Sequence, residues 1–269
     1  MDAPPRVLAS TTSHKREPLL PTLEVFGRLG LHDVDLNLHH LIEEGDSVAD
    51  VARAVAVHGL RLWVLSGGWC DFFKPAPEVD ETFRSVARQA SLAEALGVMT
   101  LRLFFGRLHY RDYSPAARAT VCANLARLSD AHPQLLFVFE NHDGASLHPD
   151  VCAEVLGRVA RPNIRMNFDP INFAKAGVDP MTALATVRTF VSHVHLKGLQ
   201  RGEYCEFGDG DQNLDPVLAS LVDGGYSGSF TVEYEGPFDG SLRLFRSVQR
   251  ARAALAGAPP TVPTTPGIR

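Results

Sequence analysis

The chain has 269 residues, 45% of them hydrophobic and 21% charged, enough to bury a sizeable core and too apolar for a disordered tail or a disulfide miniprotein. With 26 Lys and Arg against 31 Asp and Glu and a formal net charge of −5, it carries no basic field for nucleic acid, and a small molecule is the expected partner. Cys70, Cys122, Cys152 and Cys205 stand far apart with no CxxC, as expected for reduced thiols in a cytoplasmic protein rather than a zinc knuckle. No basic start followed by a long apolar run opens the sequence, and no stretch approaches the ~18 apolar residues that span a membrane, so no membrane partner is expected.

In chain order, short apolar runs rich in β-branched or aromatic residues recur, each followed by a longer amphipathic segment. The predicted strands are Val7–Ser10, Asp33–Leu38, Arg61–Leu65, Thr100–Phe104, Leu135–Glu140, Arg165–Asp169, Ser192–Leu196 and Ser229–Glu233. Between them fall predicted helices. One runs from an N-capping Ser47 to His58 before Gly59, and another from about Glu78 to Leu96 before Gly97. Gly157, Gly177 and the Gly224-Gly225 pair are expected to end later helices in the same way.

Unbroken βα alternation needs parallel strands with right-handed crossovers, which either an open doubly wound sheet or a closed barrel satisfies. No GxGxxG follows the first strand and no Walker loop is present, which removes the main support for the nucleotide-binding open sheets. Eight units in roughly 250 residues match a single (β/α)8 TIM barrel. The barrel is expected over 1–256, with 257–269, rich in Pro, Thr and Gly, as a flexible C-terminal tail.

The last four predicted strands each end in a residue that is costly to bury: Glu140, Asp169, His195 and Glu233, separated by 29, 26 and 38 residues, one βα unit each. In a barrel, equivalent strand ends converge on the C-terminal mouth where active sites are built. Three carboxylates there repel one another unless a cation sits among them. One imidazole with three carboxylates suits a single divalent ion, Mn²⁺ or Co²⁺ first, with Mg²⁺ or Zn²⁺ as alternatives. Any one of these carboxylates alone reads equally well as a helix cap or an arginine partner. His193 lies on the face of His195 by strand alternation and reads as a core histidine before a second ligand.

The strings FENHDG, NFDPINFAKAG, HVHLKG and GYSGSFTVEYEG resemble the sugar phosphate isomerase/epimerase superfamily with the xylose isomerase-like barrel. That superfamily includes ketose 3-epimerases, hydroxypyruvate isomerase, inosose isomerases and dehydratases, and an AP endonuclease branch. The resemblance implies one divalent ion held by Glu140, Asp169, His195 and Glu233, with Glu140 and Glu233 doubling as catalytic acid and base. The expected reaction is an isomerisation or epimerisation, in which a proton moves next to a carbonyl of a sugar, sugar acid or cyclitol through a metal-stabilised enediolate. Expulsion of a β-hydroxyl from the same intermediate makes the alternative a dehydratase of a keto-cyclitol or dehydroshikimate-like ring. A third reading is a non-catalytic binding barrel. The family implies homo-oligomers as well.

Lys197 and Arg201 follow His195 on the loop leaving the seventh strand, where a cation holds a substrate hydroxyl, carboxylate or phosphate or is simply solvated. Arg201 stands six residues past His195, as a substrate-contacting arginine does in the ketose epimerases. Asn141 and His142 follow Glu140 and are candidates to orient it, and Glu235 is a further acid/base or a capping carboxylate. Trp69 and Phe72, after the third strand, are candidates to stack on a sugar ring or to pack a loop, and His14 is a mouth candidate after the first. Cys205 reads as inert. Asn172 stands where the ketose epimerases and the nuclease branch typically carry histidine. That argues against a trinuclear zinc nuclease and leaves Asn172 to hydrogen-bond a substrate hydroxyl.

Overall fold

The computed structural model describes residues 5–44, 47–237 and 240–257, so all of the expected tail beyond Gly257 lies outside the described residues. In chain order the elements are β1 (Arg6–Ser10), α1 (Leu19–Arg28), β2 (Asp33–Asn37), α2 (Leu38–Glu44), α3 (Val48–Val57), β3 (Arg61–Ser66), α4 (Asp80–Ala95), β4 (Thr100–Phe104), α5 (Pro115–Ala131) and β5 (Leu136–Glu140). There follow α6 (Pro149–Val159), β6 (Ile164–Phe168), α7 (Pro170–Lys175), α8 (Pro180–Val187), β7 (Val191–Leu196), β8 (Gly198–Gln200), β9 (Glu203–Cys205), α9 (Asp215–Asp223), β10 (Ser229–Val232) and α10 (Gly240–Leu255). Every strand expected from sequence is present, with bounds within about a residue. The helix starts follow side-chain capping. Ser47 Oγ accepts from Asp50 N (3.1 Å) at α3, and Asp179 Oδ2 accepts from Thr182 N (2.8 Å) at α8.

Gly59, Gly97, Gly177 and Gly225 take the positive φ expected of residues that end helices. Gly157 does not. It lies inside α6, which ends at Ala160 in the left-handed region (φ 46°). A Cβ at Gly157 would meet Phe190 at 3.5 Å, an ordinary van der Waals contact, so the packing there does not require glycine.

The chain divides into two compact units, Met1–Trp63 with His195–Arg269, and Val64–Val194. In the first, β1 pairs in parallel with both β2 and β10, and Glu233 N donates to Leu196 O (3.0 Å) where β10 ends. Helix α1 buries Leu19, Leu23 and Phe26, and α10 buries Leu244, Val248 and Ala251. The short antiparallel hairpin β8–β9 follows β7. In the second unit, the end of β3, then β4, β5, β6 and the start of β7 pair in parallel, in that order. Its core is aromatic, with Phe72, Phe105, Phe137, Phe139, Phe168 and Phe173 essentially without exposed surface, each stabilising by roughly 1.5–3 kcal/mol on burial. Among the described residues no helix is long and apolar enough to cross a membrane.

Candidate active site

In the second unit the end of β5 is built around Glu140, 2% exposed. Its Oε1 accepts from Asn172 Nδ2 (3.0 Å), and its Oε2 stands 3.4 Å from Arg102 Nε. Arg102, itself buried, also donates through Nη1 to Gly67 O (3.3 Å) and lies over the Phe104 ring. One hydrogen bond, from Asn172, and one ion pair, with Arg102, thus hold the carboxylate of Glu140. Asn141, fully buried, ties the end of β5 to that of β6. Its Oδ1 accepts from Asp169 N and its Nδ2 donates to Asp169 O, both at 2.9 Å. Asp169 caps α7, its Oδ1 accepting from Ile171 N (2.9 Å) and Asn172 N (3.0 Å). A short helix that starts with DPIN therefore does two jobs. It fixes the Asp169 carboxylate through the first-turn amides and delivers Asn172 to Glu140.

In the first unit His195, Glu233 and Lys197 come together, each at most 4% exposed. His195 Nδ1 stands 3.3 Å from Glu233 Oε2, and Lys197 Nζ lies 2.8 Å from both Glu233 Oε2 and Glu235 Oε1. Lys15, on the loop after β1, reaches Glu235 Oε2 at 3.4 Å. A lysine between two carboxylates offsets the charge of both.

The remaining candidates have distinct places. His142 sits edge-on to Phe104 and Trp69, with its Nδ1 3.3 Å from Asp143 Oδ2. Trp69 is 45% exposed, but one face stacks on Phe104 (4.5 Å) and the Arg107 guanidinium lies 3.8 Å from the ring centre. Phe72 is wholly buried between Phe83 and Phe139, so the expectation that it stacks on a sugar fails: it is core. His14 is buried, with Nε2 2.9 Å from Ser241 Oγ, and lines a cavity of about 230 Å³ with Lys15, Tyr234 and Glu235. Arg201 occupies the exposed turn of the β8–β9 hairpin at φ 50° and its N–H donates to Asp211. His193 is buried and in register with Asn167 of β6.

Two functional-looking residues escape a reading confined to strand ends. Arg102 and Asp35 lie within β4 and β2, at 5% and 0% exposure. The signal was a charge inside an apolar strand, TLRLF and DVDLN. Burial pushes the Cys70 and Cys152 thiols up to about 12 and raises that of Cys205. Native protein at neutral pH should therefore react with a thiol reagent only slowly, at Cys122 and Cys205. Cys70 and Cys152 should be labelled only after denaturation, as peptide mapping of the modified chain will show.

A family profile described as xylose isomerase-like TIM barrel matches residues 27–254, running through both units. The eight-stranded parallel barrel predicted from the βα alternation is therefore the fold of this chain. Among curated proteins, a 3-dehydroshikimate dehydratase of Bacillus anthracis is 22% identical over 130 residues, 47% of this chain and 46% of that protein. The chain spans less than half the length of the curated relatives it matches. Among solved structures, the IOLI protein with a binding zinc atom superposes with a TM-score of 0.79 at 18% identity, covering 94% of this chain and 97% of that one. A D-tagatose 3-epimerase-like protein gives 0.78 at 15% identity, with 93% and 97% covered.

Proposed function

We propose that this chain, which belongs to the xylose isomerase-like TIM barrel family, is a divalent-metal-dependent isomerase or epimerase of a sugar, sugar acid or cyclitol. The observation that carries the reading is the burial of four charged or metal-ligating side chains, Glu140, Asp169, His195 and Glu233, at 4% exposure or less. Each stands at the end of one of four successive strands of the barrel. Buried carboxylates are costly unless a cation or hydrogen bonds compensate them, and the donor set of one imidazole and three carboxylates fits Mn²⁺, Co²⁺, Mg²⁺ or Zn²⁺. A relative crystallised with zinc supports a divalent ion, and Mn²⁺ or Co²⁺ is our first choice.

When bound, the ion offers positive charge to two neighbouring substrate oxygens. Glu140 and Glu233 then act as base and acid on the carbon between them. Glu140 is held for this by Asn172 and Arg102, and Glu233 by Lys197. Proton transfer needs heavy-atom approach of ~2.6–3.2 Å. Lys197, Asn172, His142, Trp69, His14 and Arg201 are the proposed substrate-facing groups, with Lys197 and Asn172 acting also through the glutamates they hold. The working unit is the single barrel over 1–256, in the cytoplasm, with a small-molecule partner and homo-oligomers as in the family.

The likeness to a 3-dehydroshikimate dehydratase favours one second reading, a lyase of a keto-cyclitol or dehydroshikimate-like ring. The test is incubation of the Mn²⁺-loaded protein with ketoses, keto-cyclitols and dehydroshikimate in D₂O. Deuterium at the carbon beside the carbonyl, with no water lost, establishes the isomerase. A new absorbing enone or aromatic product with loss of water establishes the lyase. Neither event in any substrate, with metal bound, leaves the binding barrel.

A further inference from the structure

We infer that Asp35 is a positioning residue that fixes the ring of His195 so that Nδ1 faces the metal ion. This rests on the proposal that His195 and Glu233 hold a divalent ion. Asp35 lies in the middle of β2, in register with Ser10 of β1, and has no exposed surface. A carboxylate so buried destabilises the fold unless it is compensated. Its Oδ2 accepts from Thr231 Oγ1 of β10 (3.1 Å) and stands 3.7 Å from His195 Nε2. On the opposite edge of the same ring, Nδ1 stands 3.3 Å from Glu233 Oε2. The imidazole thus lies between two buried carboxylates, one at each nitrogen.

A neutral imidazole has one N–H and one lone pair. The N–H belongs toward the carboxylate that is not a metal ligand, and the lone pair toward the one that is. A lone pair facing a carboxylate oxygen is repulsive until a cation enters between them. Thr231 donates to the same Asp35 oxygen that faces Nε2 across 3.7 Å, a charge-to-ring contact longer than a hydrogen bond. Asp35 therefore selects the Nε2–H tautomer and presents Nδ1 to the ion, in the manner of carboxylate–histidine–metal arrangements.

The experiment is a competitive titration of the full-length chain with Zn²⁺ and with Mn²⁺, for wild type, Asp35→Asn, Asp35→Ala and His195→Ala, with thermal midpoints of the metal-free proteins alongside. Asp35→Ala should weaken metal binding by about 10–100-fold. Asp35→Asn, which keeps an acceptor oxygen, should fall between it and wild type. Wild-type affinity in both Asp35 variants, with binding lost in His195→Ala, overturns the role of Asp35 and leaves the metal site standing. No uptake by wild type overturns both. A second measurement needs no variant: nitrogen NMR of the His195 side chain in the zinc-loaded wild type should show the proton on Nε2. A proton on Nδ1 overturns the inference.

Discussion

Glu140→Gln is expected to slow exchange of the substrate proton with solvent by ~10²–10⁴-fold. Glutamine matches glutamate in shape and still accepts from Asn172 Nδ2, which lies 3.0 Å from Oε1 in the native chain. What it loses is the ability to take a proton and the charge that faces Arg102. Both ends of that ion pair are buried, at 6% and 3% side-chain exposure, so Arg102 is left less compensated and the thermal midpoint should fall as well. Deuterium incorporation by NMR, at saturating metal and below the lowered midpoint, separates the two effects. Exchange within a few-fold of wild type removes Glu140 as the base.

Lys197→Met should be the most destabilising of the single changes considered. The substitution keeps the aliphatic stem and removes the ammonium that stands 2.8 Å from both Glu233 and Glu235. Removing one partner of a buried pair typically costs about 3–5 kcal/mol, because the other charge stays buried. Denaturant unfolding of the metal-free protein reads the loss. Addition of metal should recover part of it, since an ion binding only the folded chain stabilises by mass action. A change below about 1 kcal/mol in metal-free protein would show that Glu233 and Glu235 are compensated without Lys197.

The fold was legible because the signals are periodic. Eight apolar runs, each followed by an amphipathic segment, leave few topologies once nucleotide-binding glycine loops are absent. The four strand-end residues were legible for the same reason, since one βα unit separates each from the next. Asp35 and Arg102 were not, because a charge in mid-strand reads as a solvent-facing position unless its partner is known. Those partners are distant in sequence: His195 and Thr231 for Asp35, and Glu140 and Gly67 for Arg102. The two duties of Asn172 and Lys197 were hidden likewise. Their contacts to Glu140 and Glu233 span 32 and 36 residues of chain and depend on where a short helix or loop returns. Gly157 shows the converse, a glycine read as a helix end that lies inside α6, which instead ends at Ala160.

The central claim is that Glu140, Asp169, His195 and Glu233 hold one divalent ion. It is tested most directly by elemental analysis of metal per chain, in protein purified without chelator, for wild type beside His195→Ala. The expected result is about one equivalent of manganese, cobalt, magnesium or zinc in wild type, and its loss in a folded variant. No metal in wild type after reconstitution, or equal metal in both proteins, contradicts it.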